Sequence, residues 1–223
     1  MSTLLPEHDP RWVKAIARRL RLVQLLDAAE AAGLAPVKLL RLHAFAFLAN
    51  LLSPVWELWP QDGKILKRRG GPFYPELQRD LDRLVGMGVV SIENLDYKKD
   101  QWKRWCLEGD YALLYDRAEP ILQAATEFED ERRVQRFLRE LAFALAALSE
   151  DEFDQAMIED ATYADPRAVP GQVIDFDEWR RANYTANAAN YFDHVMPLGL
   201  KASPGEKIQL YVRHLERSVH GNR

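Results

Sequence analysis

The chain has 223 residues, of which 48% are hydrophobic and 29% are charged, as is ordinary for a soluble globular protein. A net charge of -4 excludes a strong overall attraction to nucleic acid, and a single cysteine, Cys106, excludes a disulfide bond within the chain. The start of the sequence is too polar for the core of a signal peptide, and no run approaches the roughly 20 apolar residues that span a bilayer. We therefore expect a cytoplasmic protein without a membrane segment.

Two helices are predicted at the start of the chain. The first spans residues 12–32 and ends at Gly33, a residue type that commonly follows the last helical turn. One of its faces is apolar and carries Val13, Ile16, Leu20 and Val23. The second helix begins at Pro36, which suits a first helical turn, and runs to about Leu52. It is apolar on most of its sides, so we expect it at the centre of the core.

A third helix and a β-hairpin follow. Pro75 starts the helix, and two glycines after residue 85 end it. Its apolar face consists of Leu77, Leu81 and Leu84. Residues 89–95 are rich in β-branched side chains, residues 96–101 form a polar turn, and residues 102–108 return as a second strand. Two helices, a third helix and a hairpin in this order predict a winged-helix domain with a small β wing.

From Asp110 onward the chain is predicted to be helical, apart from a loop over residues 162–175. Helical patterns cover residues 111–128, 131–148, 178–196 and 203–219, with a short helix after Ser149. Capping-box spacing is present in the pairs Ser149/Glu152, Asp175/Glu178 and Ser203/Glu206. The last helix has a buried face formed by Ile208, Tyr211, Leu215 and Val219.

Charge differs between the two halves of the chain. Residues 1–118 hold 18 Lys+Arg and 15 Asp+Glu, a net charge of +3, whereas residues 119–223 hold 12 and 19, a net charge of -7. We therefore predict a mainly α protein with a winged-helix domain over residues 1–125 and an acidic α-helical domain over residues 126–223.

The sequence lacks the residue patterns of an enzyme. The segment RRGGPF has no Lys-Ser/Thr ending with which a P-loop binds phosphate and magnesium. The five histidines form no short-range metal-binding pattern with Cys106 or with each other. His43 lies in an apolar helix, where a hydrogen-bonded core residue is expected. We predict no catalytic residue, no metal and no cofactor.

A basic cluster is the main candidate for contact with nucleic acid. It consists of Lys64, Lys67, Arg68, Arg69, Lys98, Lys99, Lys103 and Arg104. In a winged helix these residues lie before the third helix and on the wing, where they can neutralise phosphates without reading sequence. The alternative is a solvated hairpin whose charges prevent pairing with other chains. Both interpretations stay open.

The third helix has mixed charge. Arg79 and Arg83 lie one turn apart and can reach bases. Glu76 lies on the same face and can pair with Arg79, while Asp80 and Asp82 are expected to repel phosphates. This mixture favours weak contact with nucleic acid, or a domain that docks onto protein.

A late helix carries an unusual run of asparagines. Asn183, Asn187 and Asn190 recur at helical spacing although asparagine is a poor helix former, so hydrogen bonding to a partner is one explanation. Trp179, near the predicted start of this helix, is a candidate anchor, since tryptophan is enriched at interface hot spots. We expect the adjacent stripe, which holds Tyr184, Ala188, Tyr191 and Val195, to be the core side of the helix.

The layout of the chain resembles a known bacterial family. The segment GPFYPELQRDLDRLVGMGVV, a wing and an acidic helical tail ending in PGEKIQLYVRHLE resemble the middle component of ABC-three-component systems, including the Lamassu-type antiphage systems. The residues that carry the resemblance are Pro72, Phe73, Leu77, Asp80, Leu81, Leu84, Val85, Gly88 and Val89. They are determinants of fold more than of function.

The resemblance implies a non-enzymatic subunit that links an SMC-like or Rad50-like ABC ATPase with a further effector protein and with DNA bound non-specifically. The resemblance does not decide whether the protein also forms a homodimer. The alternative is a winged-helix transcription regulator with a helical dimerisation or effector domain.

Overall fold

A computed structural model describes residues 10–60, 64–68, 71–99, 105–160, 162–163, 171, 173–175, 183–197 and 200–221. Within these ranges the protein is mainly α-helical and has two small antiparallel sheets. The helices are α1 (Pro10–Ala31), α2 (Leu39–Leu52), α3 (Pro75–Gly86), α4 (Tyr115–Thr126), α5 (Glu129–Ala146), α6 (Glu150–Glu159), α7 (Tyr184–Val195) and α8 (Pro204–Gly221). The strands are β1 (Val37–Lys38), β2 (Lys64–Arg68), β3 (Gly71–Phe73), β4 (Val90–Lys99), β5 (Trp105–Leu113) and β6 (Val173–Asp175).

Helix α2 forms the centre of the core, as its composition predicts. Eleven of its 14 residues are buried. Together with the 3-10 turn that follows, it spans Leu39–Trp56 and is long and apolar enough to cross a membrane. However, 72% of this segment is buried inside the protein, as is usual for the core helix of a soluble protein. The described part of the chain contains no other segment of this kind.

The first sheet has the strand order β1-β5-β4. The short strand β1 pairs with β5, where Val37 lies opposite Tyr111, and β4 and β5 form a long hairpin. Two predictions are corrected here. Helix α2 begins at Leu39 and not at Pro36, because residues 37–38 find a strand partner in β5. Residues 96–99, predicted to turn, continue β4 after a bulge.

The second sheet joins distant parts of the chain. Its order is β3-β2-β6, and Ile65 of β2 lies opposite Ile174 of β6. Residues 173–175 were predicted to be loop, and this prediction is wrong, whereas the helix cap predicted at Asp175 depends on residues 176–178, which lie outside the described residues. Since the partner strand lies more than one hundred residues away, local sequence gives no sign of the pairing. Glu178, the other half of the predicted cap, lies outside the described residues.

Two capping boxes form as predicted. Ser149 accepts a hydrogen bond from the backbone N–H of Glu152, whose carboxylate accepts one from the N–H of Ser149. Ser203 and Glu206 make the same reciprocal bonds at the start of α8. Helix α4, in contrast, begins at Tyr115, because residues 111–113 belong to β5 and not to a helix.

One continuous apolar cluster extends across both halves of the chain. Helix α5 packs on α1 and α8, and α7 packs on α2. The predicted buried face of α8 is confirmed, and it joins this cluster. The division at residues 125 and 126 stays a prediction.

Candidate nucleic-acid interface

Helix α3 is built as the sequence predicts. Pro75 occupies its first turn, and the three predicted leucines are buried. Its end is a Schellman motif, in which Gly88 has a left-handed φ of 67° and the N–H of Val89 donates to the carbonyl of Leu84. The chain therefore leaves α3 directly into the buried start of β4, which fixes the helix against the hairpin.

Asp80 faces inward and not toward solvent. Its side chain is 2% exposed, and its carboxylate accepts hydrogen bonds from Nε of Arg18 at 2.8 Å and from Nε of Arg19 at 3.0 Å. Arg83, on the same helix, lies 3.9 Å away. The expectation that Asp80 repels phosphates is therefore wrong, because its charge is buried and paired with α1. The sequence reveals neither the direction of this side chain nor its partners.

The outward face of α3 carries both signs of charge. Arg79 and Arg83 have side chains that are 68% and 62% exposed. Arg79 pairs with Glu76 at 3.1 Å, as predicted, and Asp82 accepts a hydrogen bond from Gln78 at 2.8 Å. The pair of exposed arginines is thus partly balanced, which suits weak contact with phosphates more than readout of a defined sequence.

His43 of α2 forms hydrogen bonds at the start of α3. It is fully buried, and its Nδ1 accepts a hydrogen bond from the backbone N–H of Tyr74 at 3.2 Å. Its Nε2 therefore carries the proton and faces the side-chain oxygen of Gln78 at 3.3 Å. The prediction of a hydrogen-bonded core histidine is confirmed.

The basic segment before α3 is part of a sheet. Lys67 lies in β2 and is buried, and its ammonium group donates to the carbonyl of Tyr163. It also lies 5.0 Å from the centre of the Tyr163 ring. Such an ammonium cannot contact a DNA backbone in this conformation. The side chains of Lys64 and Arg68, and all of Arg69, lie outside the described residues.

Residues 98 and 99 of the predicted wing lie at the end of β4. Lys99 is exposed at the end of β4. On the same face of that strand Leu95 is 56% exposed and Tyr97 is 65% exposed. The side chain of Lys98, and the whole of Lys103 and Arg104, lie outside the described residues. The contact of these basic residues with phosphates therefore stays a prediction.

The asparagines of α7 have different surroundings. Asn183 caps the helix by accepting from the N–H of Ala186, and its amide donates to the carbonyl of Leu51 at 2.7 Å. Asn190 accepts from Lys207 at 3.2 Å, whereas Asn187 is exposed. Contacts within the chain therefore explain Asn183 without a partner protein. Trp179 lies outside the described residues.

The outward face of α7 carries no formal charge. Thr185, Ala186 and Ala189 form its buried side. The stripe that was expected to be the core side is largely exposed, with Tyr191 at 61% and Val195 at 62%. This prediction is wrong because small residues, not the aromatic ones, allow α7 to approach α2 closely. The partner surface predicted on α7 stays a prediction.

Asp160 forms a buried polar centre that the sequence does not reveal. Its Oδ1 accepts from the backbone N–H groups of Thr162 and Tyr163, both at 3.0 Å. Its Oδ2 accepts from Tyr211 Oη at 2.7 Å and from Thr185 Oγ1 at 2.9 Å. Burial raises the pKa of this carboxyl, although the hydrogen bonds oppose the increase. The centre ties α6, α7 and α8 together.

Glu152, Glu216 and His220 form the group that, within the described ranges, could hold a metal ion. One ligand atom of each lies within 4.8 Å of the others. The carboxylate of Glu152 already has two partners within the protein, Ser149 and His220, and His220 lies 2.8 Å away. Hydrogen bonds with Ser149 lower the pKa of Glu152 to about 2. Sequence spacing missed the group, since 68 residues separate Glu152 from His220. A helix cap and a hydrogen bond between Glu152 and His220 account for the geometry.

An open cleft lies between α1, α2 and α5. It is mostly apolar, and Arg21 is the charged residue of its described lining. Burial lowers the pKa of Arg21 to about 10. Among the described residues that line this cleft, none supplies a carboxylate or imidazole beside Ser53 for acid–base chemistry.

No protein-family model, curated protein or solved structure matches the chain.

Proposed function

We propose that this chain is a non-catalytic cytoplasmic subunit that contacts the DNA backbone through a winged-helix unit and is held there by a protein partner. The observation that carries the proposal is the strand order β1-β5-β4, with β1 between the first two helices and the β4–β5 hairpin directly after α3. In a winged helix this arrangement presents the third helix and the wing on one side of the domain.

The charge on α3 supports contact with phosphates rather than with a defined sequence. Because Asp80 is turned toward α1, its carboxylate does not project from the exposed face of α3, although Arg83 lies 3.9 Å from it. Glu76 and Asp82 still lower the positive potential of the face. Backbone contact of this kind is weak and salt-dependent, so a partner that holds the domain near DNA would raise its occupancy.

The outward face of α7 is the proposed partner surface. Tyr184, Asn187, Tyr191, His194 and Val195 share this face, and none carries a formal charge at neutral pH with His neutral. Loss of charged residues together with aromatic enrichment is typical of the centre of a protein interface. By the family resemblance, the proposed partner is an SMC-like or Rad50-like ATPase of a bacterial defence system, acting with a further effector protein.

The DNA part of the proposal is tested with duplexes of unrelated sequence. We expect similar affinities for all of them and a steep loss of affinity between 50 and 200 mM salt. Replacing Lys98, Lys99, Lys103 and Arg104 together with Glu should abolish binding.

A matched control changes four exposed basic residues elsewhere to Glu: Arg136, Lys201, Arg213 and Arg217. This control should keep measurable binding although its net charge is the same as that of the wing variant. Equal losses in the two variants would show that overall charge, not the wing, governs binding.

The transcription-regulator alternative predicts a different result. A regulator would protect one short palindrome at high affinity, and Arg79→Ala or Arg83→Ala would relax its sequence preference. Such a footprint, without binding to any SMC-like ATPase, would replace the subunit proposal.

A further inference from the structure

The start of α1 is unusually basic. Between Asp9 and Asp27 the sequence contains five basic residues and no acidic one. Two of them, Arg18 and Arg19, lie where α1 packs on α3. This region of α1 therefore adds positive charge directly beside the arginines of α3.

Asp80 organises the arginines at this junction. Its buried carboxylate binds Arg18 and Arg19 through their Nε atoms, so neither bond uses the terminal Nη groups. With Arg83 at 3.9 Å, three guanidinium groups surround one carboxylate, which gives the cluster a formal charge of +2. The side chains of Arg18 and Arg19 remain 24% and 22% exposed, so solvent reaches them.

Fixed guanidinium groups of this kind suit a phosphate. An arginine presents parallel N–H groups that match phosphate oxygens, and the conformational entropy of Arg18 and Arg19 is already reduced by Asp80. Arg83 and Arg79 extend this row of arginines along α3, one turn apart, and Arg79 is also paired with Glu76. A row of several cations fits the repeating charge of a nucleic-acid backbone better than it fits the single carboxylate of a protein side chain.

We propose that Arg18, Arg19 and Arg83, oriented by Asp80, bind the phosphodiester backbone of a DNA duplex at the junction of α1 and α3. This inference rests on the proposed function and extends the DNA-contact surface from α3 and the wing onto the first helix. Asp80 is a positioning residue here, and the arginines make the contact.

The test is a triple variant, Arg18→Gln, Arg19→Gln and Asp80→Asn, in the full chain. It removes the cations together with the carboxylate they neutralise, so no buried charge is left unpaired. Since each phosphate contact contributes about 0.9 to the slope of log affinity against log salt, losing two contacts should reduce the slope by about 2. The ratio of wild-type to variant affinity should then fall roughly tenfold between 50 and 200 mM salt.

Two controls separate local contact from other effects. Arg132→Gln on α5 changes the net charge by the same single unit and should keep the wild-type slope. Inorganic phosphate should displace the duplex no better than chloride at equal ionic strength. A triple variant with the wild-type slope overturns the inference, and so does an equal loss in the control or selective displacement by phosphate.

A second variant covers the case in which the triple variant does not fold. Arg18→Lys with Arg19→Lys keeps the net charge and a cation for Asp80 but removes the forked N–H groups. We expect its affinity to fall several-fold, and wild-type affinity would overturn the inference. The proposed function survives these failures if the wing variant still loses binding, whereas a wild-type protein without salt-sensitive duplex binding refutes both.

Discussion

Replacing Asp160 with alanine should strongly destabilise the fold. The change removes the acceptor of two buried backbone N–H groups, those of Thr162 and Tyr163, and of the hydroxyl groups of Thr185 and Tyr211. A buried donor without an acceptor costs about 1–3 kcal/mol. The hydroxyl groups can rotate to other acceptors but the N–H groups cannot, so we expect a loss of about 2–6 kcal/mol in the free energy of unfolding.

Asparagine at position 160 should be tolerated. Its Oδ1 can still accept from the two N–H groups, and its amide can donate to the hydroxyl oxygens of Thr185 and Tyr211. The substitution also avoids burying a charge. We therefore expect the free energy of unfolding of Asp160→Asn to lie within about 1 kcal/mol of the wild-type value at neutral pH.

The same centre predicts how stability depends on pH. Burial raises the pKa of Asp160 above its ordinary value of 3.8, so the folded state keeps this proton after the unfolded state has lost it. The contribution of Asp160 to stability is therefore fully present below that ordinary pKa and is lost as pH rises through the folded pKa. The slope is at most about 1.4 kcal/mol per pH unit in this window. Asp160→Asn should lack this component.

Urea unfolding followed by tryptophan fluorescence, between pH 4 and 8, measures both effects. The wild-type minus Asp160→Asn difference isolates the titration of this one carboxyl, because all other groups cancel. An asparagine variant as unstable as the alanine variant would refute the reasoning, since it would mean that the negative charge is required. A difference that does not change with pH would also contradict it.

Three further changes have defined outcomes. His43→Ala leaves the buried N–H of Tyr74 without its acceptor and opens space beneath α3, so urea unfolding should show a loss of about 2–4 kcal/mol. Ser149→Ala removes a helix cap and should cost about 1 kcal/mol by the same measurement; no change would mean that α6 does not depend on this cap. Tyr191→Ser with Val195→Ser should abolish pull-down of the SMC-like ATPase without shifting the unfolding midpoint, whereas the equally exposed Phe143→Ser on α5 should have no effect. Retained pull-down by the α7 variant would move the partner surface elsewhere.

The sequence by itself determined the features whose physics is local. Helix α2 is apolar on nearly every side, and such a helix is stable only inside a core. The caps at Ser149 and Ser203 depend on residues three apart, so their partners are visible in the sequence. The order of α1, α2, α3 and the hairpin was predicted for the same reason: hydrophobic periodicity and glycine or proline stops act within a few residues.

Tertiary structure decided the features that depend on distant partners. Strands β1 and β6 exist because β5 and β2 offer them unpaired backbone groups, and neither pairing has a local signal. Asp80 was predicted to oppose DNA from the surface of α3, yet two arginines of α1 draw it inward. Burial of a charged side chain requires a partner that compensates its lost hydration, and the position of that partner is a property of the fold. The candidate DNA surface therefore includes α1, which no pattern within α3 could indicate.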